Sequence, residues 1–197
     1  MEDSSIVYSY GDGIYLNITN RCSNRCSFCV RTAVRGLGDA DCLWLEREPT
    51  VAEVIAELRQ WPLQDCGEVI FCGYGEPTER LDAVLELSEW LHGQGVRTRL
   101  NTNGQADLIN GSPTCPRLAG KLDAVSVSLN QCTAEKYQAL CHSRYGLDAF
   151  PAVLRFLEEV RQYVPDVTAS VVSVIDEADL DACRRIAKAA GVRFRVR

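Results

Sequence analysis

The chain has 197 residues, 46% of them hydrophobic and 24% charged, enough for one domain with a full hydrophobic core, expected over residues 1–197. A net charge of −6 argues against a nucleic-acid-coating surface. No apolar run approaches membrane length, and the acidic opening Met1-Glu2-Asp3 is unlike a signal peptide. Cytoplasmic, reduced thiols are therefore expected, and ten cysteines then favour a metal site over disulfides.

In chain order, the alternating run Ile14-Tyr15-Leu16-Asn17-Ile18-Thr19 predicts a first strand. Cys22, Cys26 and Cys29 follow it at the spacing C-x3-C-x2-C, in a loop at the strand's C-terminal end. Three thiolates are one short of the usual four of an iron–sulfur cluster or tetrahedral zinc site. Such a set leaves one metal position open, which is what chemistry needs. Residues 31–48 read as a long loop, with Trp44 and Leu45 folding back as a lid. Thr50 caps a helix, Glu53 completes a capping box, and Val51, Val54, Ile55, Leu58 and Trp61 form an apolar stripe that Pro62 stops.

A second strand over residues 68–72 runs into Gly73-Tyr74-Gly75-Glu76-Pro77, and a helix follows over 80–92, closed by Gly93. The third strand, 96–103, ends in Asn103-Gly104. A fourth covers 123–130, with helices over 133–140 and 148–163. The fifth strand is placed at 167–175 and the last helix at 179–190, ended by Gly191. Phe194 and Val196 mark a sixth strand.

Alternating strands and helices call for parallel strands joined by right-handed crossovers. Several strands have one polar face, whereas strands covered by helices on both sides read as continuous apolar runs. Val125, Val127 and Leu129 oppose Ser126, Ser128 and Asn130. Arg99, Asn101 and Asn103 alternate with Thr98, Leu100 and Thr102, as do Asn17 and Thr19 with Leu16 and Ile18. The expected fold is therefore α/β, a partial (βα)6 TIM-type barrel with a wet interior. Its working face is at the C-terminal ends of the strands, where every motif lies.

The cysteine triad after the first strand, Gly-Glu-Pro after the second and Thr-Asn-Gly after the third resemble a radical S-adenosylmethionine (SAM) enzyme. The resemblance runs from Tyr15 to Arg197. It implies that Cys22, Cys26 and Cys29 hold three irons of a [4Fe–4S] cluster and that SAM chelates the fourth. The reduced cluster would then cleave SAM to a 5′-deoxyadenosyl radical that takes a hydrogen atom from a substrate. The resemblance places Phe28 against adenine, and Gly75 and Glu76 at the SAM ammonium group. It places Asn101, Asn103 and Ser128 toward the ribose or methionine of SAM. Tyr74 stands where the family has the first glycine of a pair, and the glycine-bearing motif after the fifth strand is missing from Val171-Val172-Ser173-Val174-Ile175. The opening Tyr-Gly-Asp-Gly-Ile-Tyr, Leu43-Trp44-Leu45-Glu46-Arg47-Glu48-Pro49 and Phe71-Cys72-Gly73-Tyr74-Gly75-Glu76-Pro77-Thr78 resemble the TatD-associated radical SAM proteins, which implies a link to a TatD-type nuclease. The implied partners are a substrate, either a small molecule or a protein loop, and an electron donor such as flavodoxin or ferredoxin.

The remaining cysteines, Cys42, Cys66, Cys72, Cys115, Cys132, Cys141 and Cys183, form no second C-x2-C pair, so an auxiliary cluster is not expected. Most read as small buried hydrophobes, with Cys72 and Cys132 within reach of substrate. His92 and His142 read as solvent-side. Arg31 and Arg35 read as carboxylate or phosphate ligands or as surface charge, with Arg195 and Arg197 near the same mouth. With the chain ending at its sixth strand, the barrel mouth is expected to stay open. That suits a glycyl-radical-enzyme activase, whereas a lid suits a small-molecule synthase such as the ring-contracting 7-carboxy-7-deazaguanine synthases. The rival class is an iron–sulfur electron carrier or a zinc-stabilised binding module, which needs a fourth ligand, and Cys42 is the nearby candidate.

Overall fold

The computed structural model describes residues 4–197. Met1-Glu2-Asp3, on which the expectation of no signal peptide rests, lies outside them. The chain gathers into two compact units. One takes the described residues through Cys22 together with Val30–Asn101 and Lys121–Asp123, and the other takes Ser23–Cys29, Thr102–Gly120 and Ala124–Arg197.

The first unit holds β1 (Val7–Tyr10), β2 (Gly13–Leu16), α1 (Val51–Leu58), β3 (Val69–Phe71), α2 (Leu81–Gly93) and β4 (Thr98–Thr102). Its strands are ordered β1-β2-β3-β4. The first pair is an antiparallel hairpin, and the next two pairs are parallel. Leu16, Phe71 and Leu100 share one register row and are fully buried. With Val54 and Leu58 of α1 and Val84, Leu87 and Leu91 of α2 they make the core. Each such side chain contributes roughly 1.5–3 kcal/mol by leaving water.

The hairpin is an addition to the six expected strands. Val7-Tyr8-Ser9-Tyr10 is rich in strand formers, and Gly11 accepts a left-handed φ of 59° in the two-residue turn. The capping box of α1 is present as expected. The helix nevertheless stops at Leu58, capped by Arg59, short of the Trp61 the apolar stripe reached. α2 runs through Gly93, and Gly95 supplies the left-handed turn (φ 75°). His92 is not solvent-side. Its Nε2 lies 2.9 Å from Asp123 Oδ2 and 3.1 Å from Thr98 Oγ1. It thereby ties the end of α2 to the start of β4, away from the strand ends that carry the motifs.

The second unit holds α3 (Ala106–Asn110), β5 (Ala124–Ser128), α4 (Ala134–Cys141), α5 (Ala149–Val160), β6 (Asp166–Val171), α6 (Glu177–Ala189) and β7 (Arg193–Val196). Its strands are ordered β5-β6-β7, all parallel. Val125, Val127 and Leu129 are fully buried, as the alternation predicts, while Ser126 and Ser128 are half-buried. α3 was not expected; Gly111 ends it at φ 66°. β6 ends at Val171 rather than 175, because the chain turns over residues 172–176 into α6, which Asp176 caps. Among the described residues, no helix is long and apolar enough to cross a membrane.

Candidate cofactor site

In the first unit, the chain leaves β2 as extended backbone and reaches Cys22 through Asn17-Ile18-Thr19-Asn20-Arg21. Each residue of this path is fixed. Asn17 is fully buried and its Nδ2 donates to the carbonyls of Ser5 (3.1 Å) and Leu43 (2.7 Å). It does not face a wet interior as the alternation implied; it anchors the loop of residues 31–48. Asn20 exchanges two hydrogen bonds with the Leu45 backbone. Thr19 Oγ1 donates to Glu48 Oε1 at 2.6 Å, and Arg21 grips both oxygens of Glu48. Burial pushes the Glu48 carboxyl up, but the hydrogen bonds from Arg21 and Thr19 outweigh it and hold the group below the ordinary carboxylate value.

The Gly-Tyr-Gly-Glu-Pro turn packs against this path. A Cβ on Gly75 would lie 2.2 Å from the Thr19 carbonyl oxygen and 2.7 Å from that of Arg21, so only glycine fits. The Glu76 N–H donates to Arg21 O at 2.8 Å. Glu76 is 3% exposed, and its Oε1 accepts from Thr78 N and Thr78 Oγ1, capping the short turn Pro77–Arg80. Tyr74, at the position of the replaced glycine, is buried. Its hydroxyl donates to Val34 O and its ring meets Trp44 edge-on at 5.2 Å. The loop of residues 31–48 is therefore packed: Leu43 is fully buried, Leu45 nearly so, and Trp44 is half exposed on top.

The second unit holds the loop Ser23–Cys29. The C-terminal end of α4 grips its backbone: Arg25 N–H donates to Cys141 O at 3.0 Å, Ser27 N–H to Leu140 O at 3.1 Å, and Arg144 N–H to Ser23 O at 2.8 Å. A buried polar network fixes its side chains. Asn103 Nδ2 donates to Ser23 Oγ at 2.8 Å, and Asn103 Oδ1 accepts Gln105 N–H. Gln105 Nε2 donates to Asn24 Oδ1 and to Tyr137 Oη, both at 2.9 Å, and Asn24 Nδ2 donates to the same hydroxyl at 3.1 Å. Ser143 Oγ donates to Gln105 Oε1. Burial pushes the Tyr137 hydroxyl's pKa up, so it stays a neutral partner. Cys141 is fully buried, hydrogen-bonded to the Cys26 side chain and accepting from Asn130 Nδ2 at 3.7 Å. The bond with Cys26 holds the Cys141 thiol below its ordinary value.

Cys22, Cys26 and Cys29 are all half-buried, and Cys29 N–H closes a turn onto Cys26 O at 3.1 Å. None of the ten cysteines forms a disulfide. Among the described residues, no group of three or more His, Cys, Asp or Glu side chains is gathered at metal-binding spacing. In the chemistry of their donors the residues nevertheless fit a cluster: three half-buried soft sulfurs, two of them on a backbone that α4 holds. Phe28 is half-buried in the turn between Cys26 and Cys29. Asn101 is half-buried on β4, on the face that carries Arg99. Ser128, at the end of β5, accepts from Arg197 Nη2 at 2.7 Å. Asn103 belongs to the network that holds the cysteine loop.

Sequence reasoning missed Asn24, Gln105, Tyr137, Cys141 and Asn130. Gln105 directly follows Thr-Asn-Gly, and Tyr137 stands one helical turn after the cap Thr133; neither spacing points to the cysteine loop far away in the chain. Asn130 takes a left-handed φ of 57°, is 2% exposed, and its Oδ1 has no partner among the described residues. Buried acceptors of this kind are rare and await a donor.

A curated relative, Uncharacterized protein MJ0804 of Methanocaldococcus jannaschii, is 24% identical over 159 residues, 79% of this chain and 46% of that protein. The chain thus spans about half the length of the curated relative it matches. Streptococcus suis SuiB bound to its precursor peptide SuiA has a similar fold (TM-score 0.71, 16% identity, 96% of this chain and 40% of that one). So does a radical SAM methyltransferase from Sphaerobacter thermophilus (TM-score 0.62, 20% identity, 96% of this chain and 57% of that one). These likenesses show the α/β fold with a mostly parallel sheet, and a partial barrel accords with them. The family model described as the radical SAM superfamily matches residues 16–189, and the chain belongs to that superfamily.

Proposed function

We propose that the chain is a radical SAM enzyme in which Cys22, Cys26 and Cys29 hold three irons of a [4Fe–4S] cluster and SAM completes the fourth. The observation that carries this reading is the C-x3-C-x2-C spacing in a chain of this superfamily; in the second unit α4 holds the backbone of Ser23–Cys29, and in the first the turn of Gly75 and Glu76 packs against the path to Cys22. When bound, cluster and SAM would supply one-electron chemistry able to take a hydrogen atom from the substrate. The chain's own part is to orient and to exclude water. Gly75 lets backbone approach closely, the Glu76 carboxylate offers an acceptor for an ammonium group, and Phe28 offers a ring face to adenine. Asn101 and Ser128 offer polar groups to ribose or methionine, and Asn103 fixes the loop. The reductant is a low-potential carrier such as flavodoxin or ferredoxin, the substrate a small molecule or a protein loop, and the location cytoplasmic. The quoted motifs support a place among the TatD-associated proteins, with a functional link to a TatD-type nuclease.

Anaerobic reconstitution with iron and sulfide, reduction and addition of SAM test the reading, with 5′-deoxyadenosine assayed by chromatography beside a Cys22/Cys26/Cys29→Ala control. Product in the wild type alone supports it. A full cluster that neither binds nor cleaves SAM sinks it in favour of an electron carrier. Cys42 is buried, its Sγ 4.0 Å from Trp44 O, so Cys42→Ser is expected to keep cluster iron; loss of iron would mark Cys42 as a fourth ligand.

A further inference from the structure

The register of the second unit's sheet places three arginines in one row. Thr168 pairs with Arg193 and Ser170 with Arg195, and Ser126 and Ser128 pair with Thr168 and Ser170. Paired residues of parallel strands point to the same side, and every second residue shares it. Arg193, Arg195 and Arg197 therefore share the face of Ser126, Ser128, Thr168 and Ser170. Two side-chain bonds mark that face independently: Arg193 pairs with Asp166 at its lower end, and Arg197 Nη2 reaches across β6 to Ser128 Oγ at 2.7 Å. The opposite face is apolar, since Phe194 lies under the Arg184 guanidinium of α6 at 5.4 Å.

Charge on the polar face does not balance. Asp166 is its one carboxylate along these strands, and Arg193 neutralises it. Arg195 has no hydrogen-bond or ion-pair partner among the described residues; it is exposed, and its cross-strand neighbour is the neutral Ser170. Its Cα lies about 7 Å from that of Arg197, two strand residues on, so both long side chains can converge on one group. Planar guanidinium forks recognise carboxylate and phosphate with paired hydrogen bonds. In a chain of net charge −6, an uncompensated cation beside a second arginine at the C-terminal ends of β5 and β7 is a local reversal of sign.

We propose that Arg195 and Arg197, on the polar face of β5-β6-β7, form a subsite for an oxyanion of the substrate, a phosphate or a carboxylate. This rests on the radical SAM reading only in calling the ligand a substrate; the anion site itself does not. Ser128 holds the Arg197 fork in place, and Arg195 supplies the uncompensated charge.

Calorimetric titration of the anaerobically reconstituted protein tests it, with inorganic phosphate in one arm and malonate in the other to tell the two sources apart. Saturable binding of at least one probe is expected. Arg195→Gln and Arg197→Gln each weaken it about tenfold, the value of one charge-assisted hydrogen bond, and Arg195→Lys falls in between. Arg184→Gln, on the other side of β7, leaves it unchanged. No saturable binding of either probe, or equal weakening by Arg184→Gln, overturns the subsite. The same preparations are then given reductant and SAM, and SAM binding and 5′-deoxyadenosine are assayed. A wild type with a full cluster that binds the probe but neither binds nor cleaves SAM sinks the radical SAM reading and leaves the subsite standing. 5′-Deoxyadenosine without probe binding removes the subsite alone.

Discussion

Gly75 stands where no side chain can be admitted. An added Cβ would meet the carbonyl oxygens of Thr19 and Arg21, which are backbone and cannot swing aside. Gly75→Ala must push the path to Cys22 or the turn before Glu76, and overpacking of this kind costs about 1–3 kcal/mol. Urea unfolding is expected to show that loss, and iron bound after reconstitution is expected to fall with it; full iron at wild-type stability would contradict the close approach. Tyr137 makes a different case. Its hydroxyl accepts from both Gln105 and Asn24, so Tyr137→Phe takes one buried hydrogen bond from each amide, at about 1–3 kcal/mol. Tyr137→Phe combined with Gln105→Leu, which removes one of those amides, is expected to cost less than the sum of the two single changes. Additive losses would mean that the network is not a unit.

At the scale of elements, the last turn of α4 does the work that the spacing of the cysteines cannot. It presents the carbonyls of Leu140 and Cys141 to the loop, whose Arg25 and Ser27 N–H groups donate to them. The C-x3-C-x2-C spacing could be seen in the sequence because it is local, and α1 was legible because Thr50 and Glu53 write a capping box. The polar faces of β4 and β5 were legible because a strand alternates with a period of two. What lay hidden was set by partners distant in the chain. Asn17 and Tyr74 read as lining and as a lapse from the family motif, yet both hold the loop of residues 31–48. β1 stood ahead of the run that announced the first strand, and only pairing with β2 makes it one. β6 stopped early because Asp176 caps α6, a signal that its apolar run to residue 175 concealed. Thr50→Ala isolates a purely local device: it removes the acceptor for Glu53 N–H and is expected to cost about 1 kcal/mol in urea unfolding, with no change in cluster iron.

For the whole molecule, titration sets two edges to stability. On the acid side, Glu53 is held at about 2 by Arg47 and Thr50. Glu48, Glu89, Asp123 and Asp179 are also held below their ordinary values: hydrogen-bond partners act on each, and for Glu48 and Asp123 they outweigh an opposing burial effect. A depressed folded pKa contributes stability that is whole above the unfolded value and is lost as pH falls through the folded one. On the alkaline side, burial raises the Cys115 and Cys183 thiols from 9.0 to about 12, and raises Tyr8 and Tyr137 as well. A raised folded pKa works in the opposite sense: its contribution is whole below the unfolded value and fades as pH rises toward the folded one. The urea midpoint of the reduced apo-protein is therefore expected to be flat from about pH 5 to 9 and to fall on both sides. Glu53→Gln should flatten the acid slope and Cys183→Ala the alkaline one, each leaving the other slope as it was. An apo-protein as stable at pH 10.5 as at pH 8 would mean that the buried thiols ionise freely in the folded chain, and the burial of Cys115 and Cys183 would then need to be redrawn.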